Sequence, residues 1–173
     1  MLDEDSRLKI AMNVILALGC QAGVDVVPAA SGRILTGVYK RTGYKFKQIG
    51  HGRSRDVFDI VLPEGDPELV LKLGSIQSNA RERWLTKKHP EDWAKIYAYG
   101  SYGVVSERAA MIDSLDDERT MTAQFKKRME EFDSRYINLN LNEIGFIGDR
   151  IVTVGSSTRI RQQDANGGQY RAV

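Results

Sequence analysis

Apolar residues recur at helical spacing in the first part of the chain. Between residues 5 and 22 this spacing predicts an amphipathic helix. A second helix is predicted from Pro28 to Arg41, because proline is favoured in the first turn of a helix. Together they predict an N-terminal helical extension over residues 1–43. The apolar face expected for the first helix is Leu8, Ala11, Met12, Ile15 and Leu18, and Ile10, Val14 and Leu16 widen it so that the helix can pack on two sides.

From residue 44 the pattern changes to the two-residue alternation that is typical of β-strands. Turns bearing glycine or proline separate the apolar runs, which indicates neighbouring strands joined by short connections. The pattern therefore predicts an α+β fold in which a five-stranded antiparallel sheet packs with a helix. The strands are expected at 44–49, 57–62, 69–73, 95–99 and 103–107, and the helix at 79–88.

After residue 108 the pattern predicts a small helical part that ends in a β-hairpin. Residues 120–136 carry an apolar stripe opposite a charged face. The pair Gly148-Asp149 lies between two short apolar runs, which is a hairpin signal. The stripe consists of Met121, Phe125, Met129, Phe132 and Tyr136. The expected domains are the helical extension (1–43), the sheet domain (44–108), the helical domain with its hairpin (109–160) and a flexible tail (161–173).

The composition is that of a soluble globular protein, with 42% hydrophobic and 28% charged residues among 173. Because 25 basic residues nearly balance 23 acidic ones, the net charge of +2 does not indicate nucleic acid or an anionic membrane as a partner. Cys20 is the only cysteine, which excludes internal disulfides and favours a reducing compartment. No apolar run is long enough to span a bilayer, so we expect a cytoplasmic protein. Two histidines and one cysteine offer no zinc-binding pattern.

A glycine-bearing turn and a lone lysine carry the chemistry of the sheet domain. The segment Gly50–Val57 joins the first two strands, and its glycines permit a close approach of the backbone to a phosphate. Lys72 lies among apolar residues in the third strand, and a buried lysine needs an anionic partner. Glu82, on the following helix, is the candidate partner. A turn with two glycines is typical of any tight hairpin, so it is weak evidence of function by itself. The order of five elements along the chain is a stronger signal than any one motif.

On these residues the chain resembles the protein kinases, in particular small bacteriophage-encoded and atypical ones. The resemblance implies a kinase-like small lobe preceded by helices and followed by a reduced helical lobe. It implies that the glycines cover the phosphates of ATP, that the valine packs against adenine and that the lysine pairs with the glutamate. Arg55 stands where the family has its third glycine. The residues that the resemblance assigns to nucleotide binding are Gly50, Gly52, Val57, Lys72, Glu82 and, at the hinge, Glu107.

The positions that the resemblance assigns to catalysis are degenerate. Asn138 stands at the catalytic aspartate, Glu143 at a metal-binding asparagine and Gly155 at the metal-binding aspartate. An amide cannot take the substrate proton, and loss of a general base typically costs about 10²–10⁴-fold in rate. Glycine has no side-chain oxygen for magnesium, whereas Glu143 could still hold a metal. ATP and magnesium therefore stay open as ligands, and efficient transfer is not expected.

Three functions follow from this pattern. The first, which we favour, is a pseudokinase that binds a protein partner and a nucleotide, with basic residues on the turn facing a phosphate or an acidic partner. The second is an active atypical Ser/Thr phosphotransferase in which Glu143 and Asp149 hold magnesium. The third is a viral structural or assembly protein on a small α+β scaffold, which would place the chain in the host cytoplasm or the virion. The basic turn residues are His51, Arg53 and Arg55.

Overall fold

A computed structural model gives the fold and describes residues 1–20, 31–51, 55–63, 65–112, 118–137, 139–154, 159–163 and 170–172. The helices of this described part are α1 (Glu4–Gly19), α2 (Ser31–Thr42), α3 (Ile76–Lys88) and α4 (Ala123–Arg135). The strands are β1 (Lys45–His51), β2 (Arg55–Val61), β3 (Leu69–Gly74), β4 (Ile96–Tyr99), β5 (Gly103–Glu107), β6 (Ala110–Met111), β7 (Tyr136–Ile137), β8 (Ile144–Ile147), β9 (Arg150–Thr153), β10 (Arg159–Gln163) and β11 (Tyr170–Ala172).

The first five strands form one antiparallel sheet in the order β1-β2-β3-β5-β4. This confirms the prediction of an α+β fold built on a five-stranded antiparallel sheet. Strand β3 lies at the centre, and all of its residues are buried. Two smaller sheets have the orders β6-β8-β9 and β11-β10-β7. The chain divides into two compact units, Met1–Arg108 and Ala109–Val173.

In the first unit the helices α1 and α2 cover one face of the five-stranded sheet. Side chains alternate between the two faces along each strand, so that Leu69, Leu71 and Leu73 face these helices and Lys72 faces the other way. Helix α3 lies against that other face, where Glu82 meets Lys72. The core under α1 and α2 includes Ala11, Val14, Leu18, Ile34, Val38, Phe58, Ile60, Leu71 and Val105.

The buried face of α1 differs from the predicted one. Leu8 and Met12, which we expected inside, are 46% and 44% exposed. The buried set is Ile10, Ala11, Val14, Ala17 and Leu18. Ala11 and Leu18 of the predicted face are buried, as are Ile10 and Val14, which were expected to widen it. The prediction was wrong for Leu8, Met12 and Leu16, which are exposed, and it did not include the buried Ala17.

The second unit packs α4 against the β8–β9 hairpin. Phe125, Phe132 and Tyr136 are buried in a cluster with residues of β8 and β9. Met121, which we placed in the same stripe, is exposed because it lies in a 3-10 turn before α4 begins. Gly148 forms the hairpin turn with φ +57, in the left-handed region that favours glycine.

The structure also differs from the predicted tail over 161–173. Strand β10 pairs antiparallel with β7 and with β11, whose residues 170–172 lie inside that range. Pairing of this kind is made by backbone groups, so a polar sequence can form it without an apolar alternation.

No helix in the described ranges combines the length and the apolar character needed to cross a bilayer.

The close contact between α1 and the sheet can be tested at Gly103. A Cβ atom there would lie 2.7 Å from Leu18 Cδ2 and 3.2 Å from Leu71 Cδ1, and both leucines are buried. We expect Gly103→Ala to lower the free energy of unfolding by about 1–3 kcal/mol in urea denaturation, because the core is overpacked. The matched control is Gly32→Ala in α2, where a Cβ meets nothing within 4 Å. It should be neutral or stabilising by up to about 1 kcal/mol, and equal effects of the two changes would contradict this packing.

Candidate functional site

The lysine predicted from the sequence lies in the middle of the central strand. Lys72 is paired across the sheet with Val57 on β2 and Val104 on β5. Directly opposite residues in a sheet project from the same face, so both valines flank the lysine stem. Lys72 is only 3% exposed. An ammonium group in this position requires compensation from nearby polar or charged groups.

Helix α3 supplies the compensating carboxylate. The helix begins after Ser75, whose side chain accepts a hydrogen bond from the Ser78 backbone at 3.1 Å. Its buried positions recur every three residues, which places Asn79, Glu82 and Leu85 on one face. Lys72 Nζ donates to Glu82 Oε1 at 2.6 Å, and Glu82 is 1% exposed. The structure therefore brings the predicted pair together inside the first unit.

A second cation shares the same carboxylate. The Arg55 guanidinium forms an ion pair with Glu82 through Nη1 and Oε2 and donates from Nη2 to Asn79 Oδ1 at 3.1 Å. Asn79 in turn donates to the backbone oxygens of Gly74 and Ser101 at 3.3 and 2.9 Å. Arg55 is 5% exposed, although the sequence placed it on an open turn. Its burial follows from the register of β2, in which Val57 is opposite Lys72 and Arg55, two residues earlier, projects from the same face. The sequence pattern alone did not indicate this register.

The shared carboxylate shapes the electrostatics of the cluster. Burial lowers the pKa of Arg55 to about 10. Burial, together with the nearby Arg55 charge, lowers the pKa of Lys72 to about 7. One carboxylate cannot balance two buried cations, and the lysine is the weaker base of the two. Lys72 is therefore close to its titration point at neutral pH.

Gly50 is the described glycine of the segment that was predicted to approach a phosphate. Gly50 pairs with Val57 after a bulge that begins at Gln48, and a Cβ at Gly50 would lie 3.5 Å from that of Val57. Gly50 is thus on the Lys72 face of the sheet. Gly52 lies outside the described residues.

His51 does not belong to this site. Its ring Nδ1 is 2.5 Å from Asp56 Oδ1, and the Ser31 hydroxyl donates to Asp56 Oδ2 at 2.8 Å. Because Asp56 is one residue from both Arg55 and Val57, it projects from the opposite face, toward α2. His51 and Arg55, two of the basic residues that were expected on the turn, therefore lie on opposite faces of the sheet.

Glu107 has different neighbours from those expected of a hinge that holds adenine. Its backbone N–H donates to the Lys95 carbonyl at 2.9 Å, and its carboxylate accepts from the Lys95 backbone at 3.0 Å. The next backbone N–H, at Arg108, donates to the Glu68 carbonyl at 2.9 Å. These two donors are therefore already used within the first unit, and the hinge role of Glu107 stays a prediction.

The predicted catalytic positions lie in the second unit or outside the description. Asn138 and Gly155 are not among the described residues. Glu143 Oε2 accepts from the Asn140 backbone at 3.2 Å and so closes a capping box around a 3-10 turn. Asp149 lies at the exposed hairpin turn. The metal role predicted for Glu143 stays a prediction, and the capping role was readable from the Asn-x-x-Glu spacing.

A separate acidic group follows α3. His89, Glu91 and Asp92 each place one possible ligand atom within 4.8 Å of the others. A tight turn explains this proximity, because the Asp92 backbone donates to the His89 carbonyl at 3.0 Å. We assign no ion to this group.

Among known proteins, the chain matches no family model, and no curated protein is significantly similar to it.

Because Glu82 pairs with both Lys72 and Arg55, we expect the loss of Glu82 to destabilise the fold more than the loss of Lys72. Glu82→Gln leaves two buried cations without a carboxylate, so we expect the free energy of unfolding to fall by about 3–5 kcal/mol. Lys72→Met leaves the Arg55–Glu82 pair intact and should cost clearly less. Chemical denaturation of both variants, with exposed Glu130→Gln as the control, tests this order. Equal costs, or a larger cost for Lys72→Met, would show that Glu82 does not hold both cations.

The lowered pKa of Lys72 predicts a dependence of stability on pH. The folded lysine loses its proton near pH 7, whereas the unfolded one loses it near 10.5. Between these values the unfolded state binds more protons, so stability rises with pH across this window. From about pH 7 to about pH 9 the wild type should gain about 2 kcal/mol relative to Lys72→Met in urea denaturation. A difference that stays constant, or moves the other way, would mean that Lys72 keeps its proton.

Proposed function

We propose that this chain is a protein-kinase-like binding module that holds the phosphates of ATP at Lys72 and transfers phosphate poorly or not at all. The observation that carries the proposal is the buried Lys72–Glu82 pair, with 2.6 Å between Nζ and Oε1. In protein kinases a lysine on the third strand pairs with a glutamate on the next helix in the same way. Here the lysine lies on β3 and the glutamate on α3.

The arrangement around the lysine supports the proposal. Gly50, near the end of β1, lies on the same face of the sheet as Lys72. Val57, Val70 and Val104 project from this face as well, by strand alternation and cross-strand pairing. Short apolar side chains beside a phosphate-binding lysine suit a flat aromatic base. The valines of this face therefore suit the base of a nucleotide, and Lys72 with Gly50 suits its phosphates.

The weak or absent transfer follows from residue chemistry at the proposed catalytic positions. The amide of Asn138 cannot act as a base, and Gly155 offers no side-chain ligand to magnesium. Glu143 is engaged in its capping box. A module without transfer activity acts through what it binds, so we include a protein partner in the proposal, in the host cytoplasm or the virion.

Calorimetric titration with ATP tests the binding half of this proposal. We expect saturable binding that Lys72→Met weakens at least about tenfold, because a charge-assisted hydrogen bond to the phosphates is lost. The matched control is Lys40→Met, since Lys40 is exposed on α2, at the opposite face of the sheet. Circular dichroism establishes that both variants are folded. Absence of ATP binding by the wild type would overturn the proposal.

The transfer half needs a separate measurement. Incubation with radiolabelled ATP and a general protein substrate should give no labelled product above the level of the Lys72→Met variant. Magnesium-dependent labelling that disappears in Lys72→Met would instead identify an active phosphotransferase. Such labelling would leave the binding site in place and contradict only the claim of lost catalysis.

A further inference from the structure

We propose that Arg55 is itself a phosphate ligand, and that Arg55 and Lys72 together let this site hold a nucleoside triphosphate without a magnesium ion. This inference rests on the proposed function, because it assigns a metal requirement to the same site. It starts from a residue that departs from the kinase pattern and that the structure places beside the lysine–glutamate pair.

The first step is the charge of the buried cluster. Among the ion pairs of the described residues, protonated Lys72 and Arg55 share the one carboxylate of Glu82, which leaves a net charge of +1. Asn79, the other partner of the guanidinium, is neutral. Asp59, also on this face of β2, is paired with Arg108 at 2.7 Å and sums to zero with it. Buried unbalanced charge is unfavourable, so the cluster favours an incoming anion.

The second step is an unsatisfied donor. Within the described part of the chain, the buried Nε of Arg55 has no hydrogen-bond partner. An orphaned buried N–H costs the desolvation of the group, and an acceptor oxygen would restore the lost hydrogen bond. Guanidinium groups present their N–H donors in a planar fork that matches the oxygens of a phosphate. The Nε donor and the positive charge of the cluster therefore both favour a phosphate as the ligand.

The third step is the position of Arg55 in the fold. It is the first residue of β2, directly after the glycine-bearing turn, and it lies on the face of Lys72. In protein kinases magnesium ions bridge and neutralise the phosphates beneath this turn. A guanidinium fixed there by Glu82 and Asn79 supplies positive charge from the chain itself. A separate metal ion is then no longer needed to offset the charge of the phosphates.

Titration of the wild-type chain with ATP, once in EDTA and once in magnesium, decides the question. We expect the two dissociation constants to agree within about threefold. Arg55→Met should weaken binding in EDTA at least about tenfold, and magnesium should recover part of that loss. Exposed Arg83→Met on α3 removes the same charge elsewhere and serves as the control, with unchanged binding in EDTA.

The outcomes separate this inference from the proposed function. Binding in magnesium but not in EDTA overturns the role of Arg55 and leaves the nucleotide site standing. No binding in either buffer overturns the proposed function, and this inference with it. Unchanged EDTA binding by Arg55→Met also overturns the inference.

The variant is expected to fold, because Lys72 and Glu82 remain paired when Arg55 becomes an apolar side chain. If it does not fold, the wild-type comparison in EDTA still decides the metal requirement. Arg55→Lys then tests the ligand role, since it keeps the charge and loses the fork. It should bind ATP in EDTA more weakly than the wild type, and equal affinity would contradict direct contact with the phosphate.

Discussion

The first unit depends on one carboxylate that neutralises charge at the centre of its sheet. Glu82 meets Lys72 with one oxygen and Arg55 with the other, so it links the central strand, its neighbour β2 and helix α3. A lysine in a fully buried strand is unfavourable without such a partner. The position and direction of α3 are therefore tied to the chemistry of β3, and this requirement cannot be met by apolar packing alone.

The same carboxylate explains why this cluster favours anions. Glu82 can balance only one of its two cations, and the excess positive charge is held by side chains whose positions are fixed by hydrogen bonds. Preorganised positive charge on the face that carries Gly50 of β1 suits a phosphate ligand. Under the proposed function, the residues that would use such a ligand for transfer are substituted, so binding without transfer is what we propose for this chain.

Much of the fold was readable from the sequence because the periodicities were strong. The apolar run around Lys72 predicted a strand, and the five strands and α3 lie within a few residues of the predicted ranges. The face of α1 was predicted only in part, since Ala11 and Leu18 are buried as expected but Leu8 and Met12 are exposed. Strands β10 and β11 were missed as well, because their pairing is made by the backbone and leaves no apolar pattern.

The candidate site was predictable only in part. The need to neutralise a buried amine predicted an anionic partner for Lys72, and the resemblance to protein kinases implied that this partner is Glu82. The participation of Arg55 required the register of β2. The most direct test of the account is a double-mutant cycle between Lys72→Met and Glu82→Gln, measured by urea denaturation. The account predicts a coupling energy of about 1–3 kcal/mol, because the two groups form a buried ion pair. A coupling energy near zero would contradict it.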